Sequence, residues 1–360
     1  MRFRLRPGAR SRNSRPPTSP PTRRPTVRGP LRAKQPGLLM CRREVVLALF
    51  LTLPSMACGD GWADADDEVL RTGNPYERGL TDEDFPRVKE LAENVYSYEQ
   101  LRSAGGERFT TVSLFVVTSE GVLVADGQGN VQETARLVET IAGITDRPIT
   151  HVVIGSDHGD HTGGNSVFPA DAAFLAHPRS HAILEASVNN PNRREGAAPV
   201  VVPTELVGER TVLHIGGTEV HVLFLGRAHT GGDLMVYLPD EKILFMSEAY
   251  LNRIFPAMRS AYPSEWVAMI ERAQAMDVEI YVPGHGFVDS PRVLREELET
   301  YRQALLTVIA EARRLHTAGV GVEEAGEQAR FGDLETWTLR SSQGSRAIQQ
   351  VYKELNGELP

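Results

Sequence analysis

Ten consecutive residues, Ser156-Asp157-His158-Gly159-Asp160-His161-Thr162-Gly163-Gly164-Asn165, constrain this chain more than any other stretch. Two imidazoles and two carboxylates follow directly on the strand-like run Thr150-His151-Val152-Val153-Ile154-Gly155 and lead into a pair of glycines. These are hard and borderline metal donors on a tight turn, so a zinc site is the first reading. His158, Asp160 and His161 cannot all point one way from a strand; a loop must wrap around whatever they bind, and Gly159 and Gly163-Gly164 let the backbone do so. A polar loop at a strand end is the alternative. It is disfavoured because His229, Glu248 and His285 also end strand-like runs further along.

No thiolate is at hand for such a site, so His and carboxylate must hold any metal. Cys41 and Cys58 are the only cysteines, and both lie in an N-terminal region of different character. Residues 1–39 are rich in Arg, Pro, Ser and Thr without apolar periodicity, which reads as a disordered or untranslated segment. From Met40, the basic pair Arg42-Arg43, the apolar run Val45 to Leu53 and Ser55-Met56-Ala57 read as an export signal over 40–58, with Met40 as the start. The apolar run is too short to span a membrane. Cys58 after Ser55-Met56-Ala57 also resembles a bacterial lipoprotein signal, so the expected product is periplasmic or secreted, with a lipid at Cys58 as the alternative to free release. Removal of the signal takes Cys41 with it and excludes an intramolecular disulfide.

The basic N-terminus hides the charge of the rest. Residues 1–58 carry 13 of the 39 Lys+Arg and one acidic residue, Glu44, which leaves 26 basic against 46 acidic residues, a net charge of −20. A surface this acidic excludes nucleic acid as a partner and leaves a small-molecule substrate. The sequence does not fix the oligomeric state.

Residues 59–90, acidic and glycine-containing, read as a linker. From Val95 to Gly127 the pattern is a meander of strands, followed by a helix over Val131 to Ala142 and the strand that delivers the ligand loop. Beyond it come the strand Ala173 to His177, a helix over Pro178 to Ala186 and a polar surface insertion, Asn189 to Arg194. Four short strands follow within Thr211 to Met246, then a helix Pro263 to Met276, a strand Glu279 to Val282, and helices Pro291 to Thr317, Val322 to Arg330 and Ser345 to Leu355. Two halves, each running from strands to helix and each ending strands in ligand residues, predict two sheets packed face to face with helices outside. The ligands then sit on loops along one edge. His151, His214, His221 and His316 lie on strands or a helix without a partner motif and read as structural; His177 and His181 read as surface histidines beside the pocket rim.

Over Glu93 to Asp289 the chain resembles the metallo-beta-lactamase fold superfamily. The run Ser156 to Gly164 is similar to that family's His-x-His-x-Asp-His-x-Gly-Gly, with Ser156 in place of the first histidine. Gly226-Arg227-Ala228-His229-Thr230 matches its Gly-x-x-His-Thr, Ser247-Glu248 its Gly-Asp with Glu for Asp, and Pro283-Gly284-His285-Gly286 its final histidine. Asp126 resembles the structural aspartate beneath the metal loop. The resemblance implies an α/β fold, the αββα four-layer sandwich of two mixed sheets with helices outside, over residues 91–290; the helices read beyond it are expected to form a C-terminal extension, 291–360, packed on that domain. It also implies that His158 and His229 serve one metal, that Asp160, His161 and His285 serve another, and that Glu248 bridges them. Ser156 weakens the first site, since a hydroxyl is a poor zinc donor. One firmly bound zinc, or two, is expected, with iron and manganese also compatible with such a donor set.

What the resemblance implies chemically is a metal-dependent hydrolase in which metal-activated water attacks an ester, lactone, thioester or amide carbonyl, a beta-lactam included. Asp160 is then catalytic as well as a ligand. Tyr250 and Arg253, with Asn252 and Arg259, follow Glu248 on a loop expected to pass the metal edge, where Tyr250 and Arg253 would bind substrate. The rival reading is a metal-binding redox or accessory protein without hydrolytic activity, and a third is a degenerate scaffold that binds a partner through the same edge.

Overall fold

Strict alternation along the central strands sets the layers. In the strand Glu107–Val117, Leu114 and Val116 enter one hydrophobic core while Phe115 enters a second; in Val122–Ala125, Leu123 and Ala125 take the first and Val122 and Val124 the second. Side chains of period two point to opposite faces, so a strand apolar at every position must be covered on both sides. The computed structural model describes residues 68–191 and 198–360. The 1–39 segment, the 40–58 signal with Cys41 and Cys58, residues 59–67 and Asn192-Arg193-Arg194 lie outside the described residues.

The first sheet runs in chain order: β1 (Arg87–Ala92), β2 (Val95–Ala104), β3 (Glu107–Val117) and β4 (Val122–Ala125) are antiparallel, and β5 (Ile149–Val153), β6 (Ala173–Ala176) and β7 (Glu205–Leu206) continue in parallel. The second sheet has β8 (Arg210–Ile215), β9 (Thr218–Leu223), β10 (Met235–Leu238) and β11 (Ile243–Phe245) antiparallel in turn, with β12 (Ile280–Val282) parallel to β11. Both sheets are mixed. Helix α1 (Val131–Ile144) buries Leu137 and Ile141 on the outer face of the first sheet, where α3 (Pro178–Val188) adds Leu184. Beside the second sheet lie α4 (Pro263–Gln274) and α5 (Pro291–Thr317), and the layers together form the αββα sandwich. The single turn α2 (Gly159–Thr162) belongs to the ligand loop, and α6 (Val322–Gln328) and α7 (Arg340–Leu355) complete the described chain. No helix among the described residues is long and apolar enough to cross a membrane.

Helix α5 starts where its sequence says it should. The Ser290 side chain accepts from Val293 N, and Pro291 occupies the first turn, where its missing N–H is not needed. Leu294, Leu298, Tyr301, Leu305, Val308, Ala312 and Leu315 then recur at three- and four-residue spacing on one buried face. Each large side chain so buried contributes about 1.5–3 kcal/mol. Helix α7 adds Ile348 and Val351 to the same core, so the C-terminal helices are part of the folded unit.

Two expectations are corrected. Residues 68–90 are not a free linker: Arg78 makes a paired contact with Asp289 at 2.7 and 3.0 Å, Arg71 reaches Glu297 at 3.4 Å, and Arg87 to Glu90 lie in β1. Strand β1 escaped notice because it is an edge strand, and its charged residues Arg87, Lys89 and Glu90 mask the alternation. Helix α7 begins at Arg340 rather than Ser345. Its Gly344 looks like a break, but it lies buried where a Cβ would meet Arg340 and Phe331.

Parallel pairing fixes the functional edge. Strands β4 and β5 run together, so Asp126 and the ligand loop leave the first sheet side by side, and Gly155 N donates to Asp126 Oδ1 at 2.7 Å. Strands β11 and β12 do the same for Glu248 and His285, with Gly284 N donating to Ser247 O at 2.8 Å.

Candidate metal centre

The loops that carry the donors are held from below by Asp126. Its Oδ2 accepts from Ser247 Oγ at 2.5 Å and lies 2.9 Å from His161 Nδ1, an ion-pair distance without full hydrogen-bond alignment. Asp126 and Ser247 are both in the left-handed region, at φ 61° and 48°. Non-glycine residues are held there only when their surroundings over-determine them. The glycines after His161 serve a different purpose from the expected one. A Cβ on Gly164 would stand 1.9 Å from Thr134 Oγ1, and one on Gly163 would stand 2.3 Å from Gly129 O, so these glycines let the loop press against the start of α1. Gly159 meets nothing within 4 Å.

Six side chains converge in two groups that share one member: Asp160, His161, His285 and Glu248, and His158, His229 and Glu248. His161 Nε2 faces His285 Nε2 at 3.2 Å; His285 Nε2 lies 3.4 Å from both Asp160 Oδ2 and Glu248 Oε1. In the other group His229 Nε2 lies 3.0 Å from His158 Nδ1 and 3.1 Å from Glu248 Oε1, and His158 Nδ1 lies 2.9 Å from Glu248 Oε2. Ser156 joins neither group. Its hydroxyl donates to Glu248 Oε2 at 2.5 Å and accepts from His158 N at 3.2 Å. Asp157 also stands apart, its carboxylate accepting from Ser180 Oγ on α3 at 3.0 Å.

The ring nitrogens test whether these residues fit a cation. His285 Nδ1 lies 2.8 Å from the Thr110 carbonyl, which can only accept, so Nδ1 carries a proton and Nε2, facing His161, is the nitrogen left to take a cation or a second proton. Two unshared nitrogens cannot rest 3.2 Å apart unless a proton or a cation lies between them. A tetrahedral zinc with bonds of about 2.0–2.1 Å sets its donors about 3.3 Å apart. The distances above bracket that spacing, so the donor set fits a divalent ion.

Without an ion, protons do the compensating. Burial alone would push His158 and His285 down, but the charge and hydrogen bonding of Glu248 at His158, and of Asp160 and Glu248 at His285, lift each to about 9. Burial works in the opposite sense on Glu248, yet His229, His158 and His161 outweigh it and hold the carboxyl well below its usual range. Asp160 is likewise held low, since its contacts with His285 and His161 prevail over burial and the nearby Glu248.

Residues 105–285, which contain every donor named, match the family model of the metallo-beta-lactamase superfamily. The chain belongs to that superfamily. Among curated proteins, the alpha subunit of 2,4-dinitroanisole O-demethylase from Nocardioides sp. is 25% identical over 51% of this chain and 54% of its own length. Metallo-beta-lactamase type 2 of Bacillus cereus is 25% identical over 59% of this chain and 81% of its own length. The match thus spans about half of the first relative and about four fifths of the second. Among solved structures, a metallo-beta-lactamase from Pontibacter korlensis shares the fold, with a TM-score of 0.53 at 23% identity over 61% of this chain and 98% of that chain. The named relatives are enzymes, and membership of the superfamily supports metal-dependent hydrolase activity in general terms. The metallo-beta-lactamase fold implies a divalent metal, usually zinc, for which the two donor groups are the residues available.

A cavity of about 230 Å³ opens over the donors, and the two expected substrate residues do not line it. Tyr250 is fully buried, with its hydroxyl donating to Leu294 O at 3.2 Å. Arg253 is paired with Glu297 at 2.5 and 2.9 Å and lies over the Trp337 ring. After Glu248 the chain dives inward beside His285, where Asn252 N donates to His285 O at 2.9 Å, instead of following the rim. Arg259 from the same segment does reach the cavity. Sequence reasoning missed Arg102 on β2 and Gln343 and Arg346 on α7. For α7, the spacing of Leu339, Gln343 and Arg346 was the available signal, since such residues share a helix face.

Proposed function

We propose that this chain is an exported metal-dependent hydrolase that cleaves a carbonyl ester, lactone, thioester or amide of a small molecule, beta-lactams among the candidates. The single observation that carries the reading is the pair of donor groups sharing Glu248 beneath a cavity of about 230 Å³. Asp160, His161, His285 and Glu248 would hold one ion, and His158, His229 and Glu248 the weaker second. Zinc suits the set, and iron or manganese are compatible with it. When bound, the metal supplies Lewis acidity and a water acidic enough to ionise near neutral pH.

The chain's own groups do the rest. Asp160 lines the cavity and keeps 22% of its side chain exposed, against 5% for Glu248 and His285, so Asp160 is the carboxylate placed to accept a hydrogen bond from the attacking water and orient it. Arg102, whose Nε is 3.6 Å from Asp160 Oδ2, offers N–H donors to the carbonyl oxygen as negative charge develops there. The Thr110 carbonyl holds His285 through Nδ1, and His161, fully buried, has Asp126 2.9 Å from its Nδ1, so neither ring needs to swing during turnover.

Export is supported by the 40–58 segment, and a lipid at Cys58 would be its only link to a membrane. Mass spectrometry of the native protein tests this: a chain starting at Cys58 or Gly59 is expected, and an intact Arg-rich N-terminus contradicts it. Activity is tested with chromogenic lactam, lactone, thioester, carboxylester, phosphodiester and sulfate ester substrates. Turnover of at least one acyl substrate is expected; a metal-loaded protein inert toward all of them would favour the redox or accessory reading.

A further inference from the structure

Helix α7 lies outside the segment matched to the family, yet it walls the cavity over the metal centre. Leu339 at its N-terminus, Gln343 and Arg346 line that cavity, and Gln350 and Lys353, further along the same face, line an adjoining cleft of about 620 Å³. Arg259 and His158 border both spaces, so the two adjoin. The helix is held in place by the β2–β3 hairpin: Glu107 Oε1 accepts from Leu339 N at 2.7 Å, and Glu107 Oε2 accepts from Ser341 Oγ at 3.2 Å. Anchoring by a carboxylate at the helix N-terminus fixes where Arg346 stands.

Arg259 and Arg346 form no ion pair among the described residues. Their neighbours in sequence do: Arg253 is taken by Glu297 and Arg340 by Glu335. The carboxylates facing the same cavity, Asp160 and Glu248, are engaged by imidazoles. Two unpaired guanidinium groups therefore overlook a floor made apolar by Leu251, Ile254, Ala257 and Leu339, on a protein whose folded part is strongly acidic. A guanidinium binds carboxylate or sulfate through two parallel N–H bonds, and a positive mouth on an acidic surface focuses anions toward it.

We propose that Arg259 and Arg346 clamp a fixed anionic group, a carboxylate or a sulfate, at the non-reacting end of the substrate, whose short apolar part lies on Leu251, Ile254, Ala257 and Leu339. The proposal deepens the hydrolase reading and rests on it for where the reacting bond lies. A cavity of about 230 Å³ is small beside the roughly 300–1,000 Å³ of ordinary ligand pockets. The substrate is accordingly compact, or its far end projects along α7 into the adjoining cleft.

The test uses the full metal-loaded protein with two probes of equal chain length, hexanesulfonate and the neutral hexyl glucoside, titrated calorimetrically. Wild type should bind the sulfonate with marked salt dependence. Arg259→Gln and Arg346→Gln should each weaken it about tenfold or more, as loss of a charge-assisted contact does, and Arg346→Lys should recover part of the loss. Binding of hexyl glucoside should not change, which also shows that the variants are folded. A second arm compares kcat/KM for a 4-nitrophenyl ester with a distal carboxylate against 4-nitrophenyl butyrate, where the variants should lose the preference for the charged ester. Sulfonate binding that is absent in wild type, or equal in wild type and the double variant, overturns the proposal. If sulfonate binding depends on both arginines but neither ester is cleaved, the clamp stands and the hydrolase reading falls. If both esters are cleaved equally well by wild type and variants, the hydrolase stands and the clamp falls.

Discussion

The Ser156 hydroxyl donates to Glu248 Oε2 at 2.5 Å, while the other oxygen of Glu248 lies 3.1 Å from His229 Nε2. On the sequence resemblance, Ser156 stands where the motif has a histidine and Glu248 where it has Asp. Ser156 and Glu248 meet in one hydrogen bond, and the shared carboxylate faces both groups of imidazoles. Ser156→Ala should leave Glu248 less well oriented and weaken metal binding about tenfold, the usual scale for a residue that orients a ligand. Competition with a chromophoric chelator measures it; unchanged affinity would make the contact incidental. If the motif alignment implied by the sequence resemblance holds, Ser156→His combined with Glu248→Asp should raise the tightly held metal to two ions per chain.

His161→Ala and His285→Ala each remove a nitrogen from the four-residue group. Neutral imidazole is a principal zinc donor, so both variants should lose the firmly held ion and hydrolytic activity together. Elemental analysis after dialysis against buffered zinc decides this. A variant that keeps its metal but loses activity would move that histidine from ligand to a supporting role.

Much of this centre could be read before the fold was known, because its donors sit in short contiguous motifs on the loops that follow strands. His158, Asp160, His161, His229, Glu248 and His285 all belong to such motifs; the parallel pairs β4–β5 and β11–β12 bring five of them to one edge, and the loop between β9 and β10 adds His229. What could not be read depends on partners distant in sequence. Arg253 looked available until α5 placed Glu297 against it, 44 positions away. Arg346 was not singled out, because nothing local says that Glu107, more than two hundred positions earlier, anchors α7 over the cavity. Strand β1 was hidden by its own charges.

Metal uptake should release protons. In the metal-free chain His158 and His285 lie at about 9, above an ordinary imidazole, and at pH 7 both carry a proton that a metal must displace. Their pairing with Glu248 and Asp160 stabilises the metal-free fold fully below about pH 6.5 and is lost as pH rises through about 9. Metal affinity runs the other way, rising across that window. Zinc titrations at pH 7 in two buffers of different ionisation enthalpy should give different heats, by up to two protons when both groups fill. Identical heats would contradict the protonation described.

Arg253→Ala should act on stability, not on substrate. It removes the main partner of Glu297, whose side chain is 4% exposed, and leaves only the longer contact from Arg71. Because Arg71 still faces the buried carboxylate, the loss should be about 1–3 kcal/mol. Chemical denaturation should register that loss while KM stays within about twofold of wild type, since a residue outside the cavity touches no substrate. A raised KM with unchanged stability would return Arg253 to the binding site.

The central claim is that His and carboxylate side chains alone, split into two groups around Glu248, hold the metal on which catalysis depends. Metal content and turnover measured on the same samples, before and after chelator dialysis and after zinc is returned, test it most directly. At least one ion per chain as isolated is predicted, with turnover of an acyl substrate lost on chelation and restored in proportion to the zinc taken up. Full turnover by metal-free protein, or no uptake of metal by protein that remains folded, would contradict it.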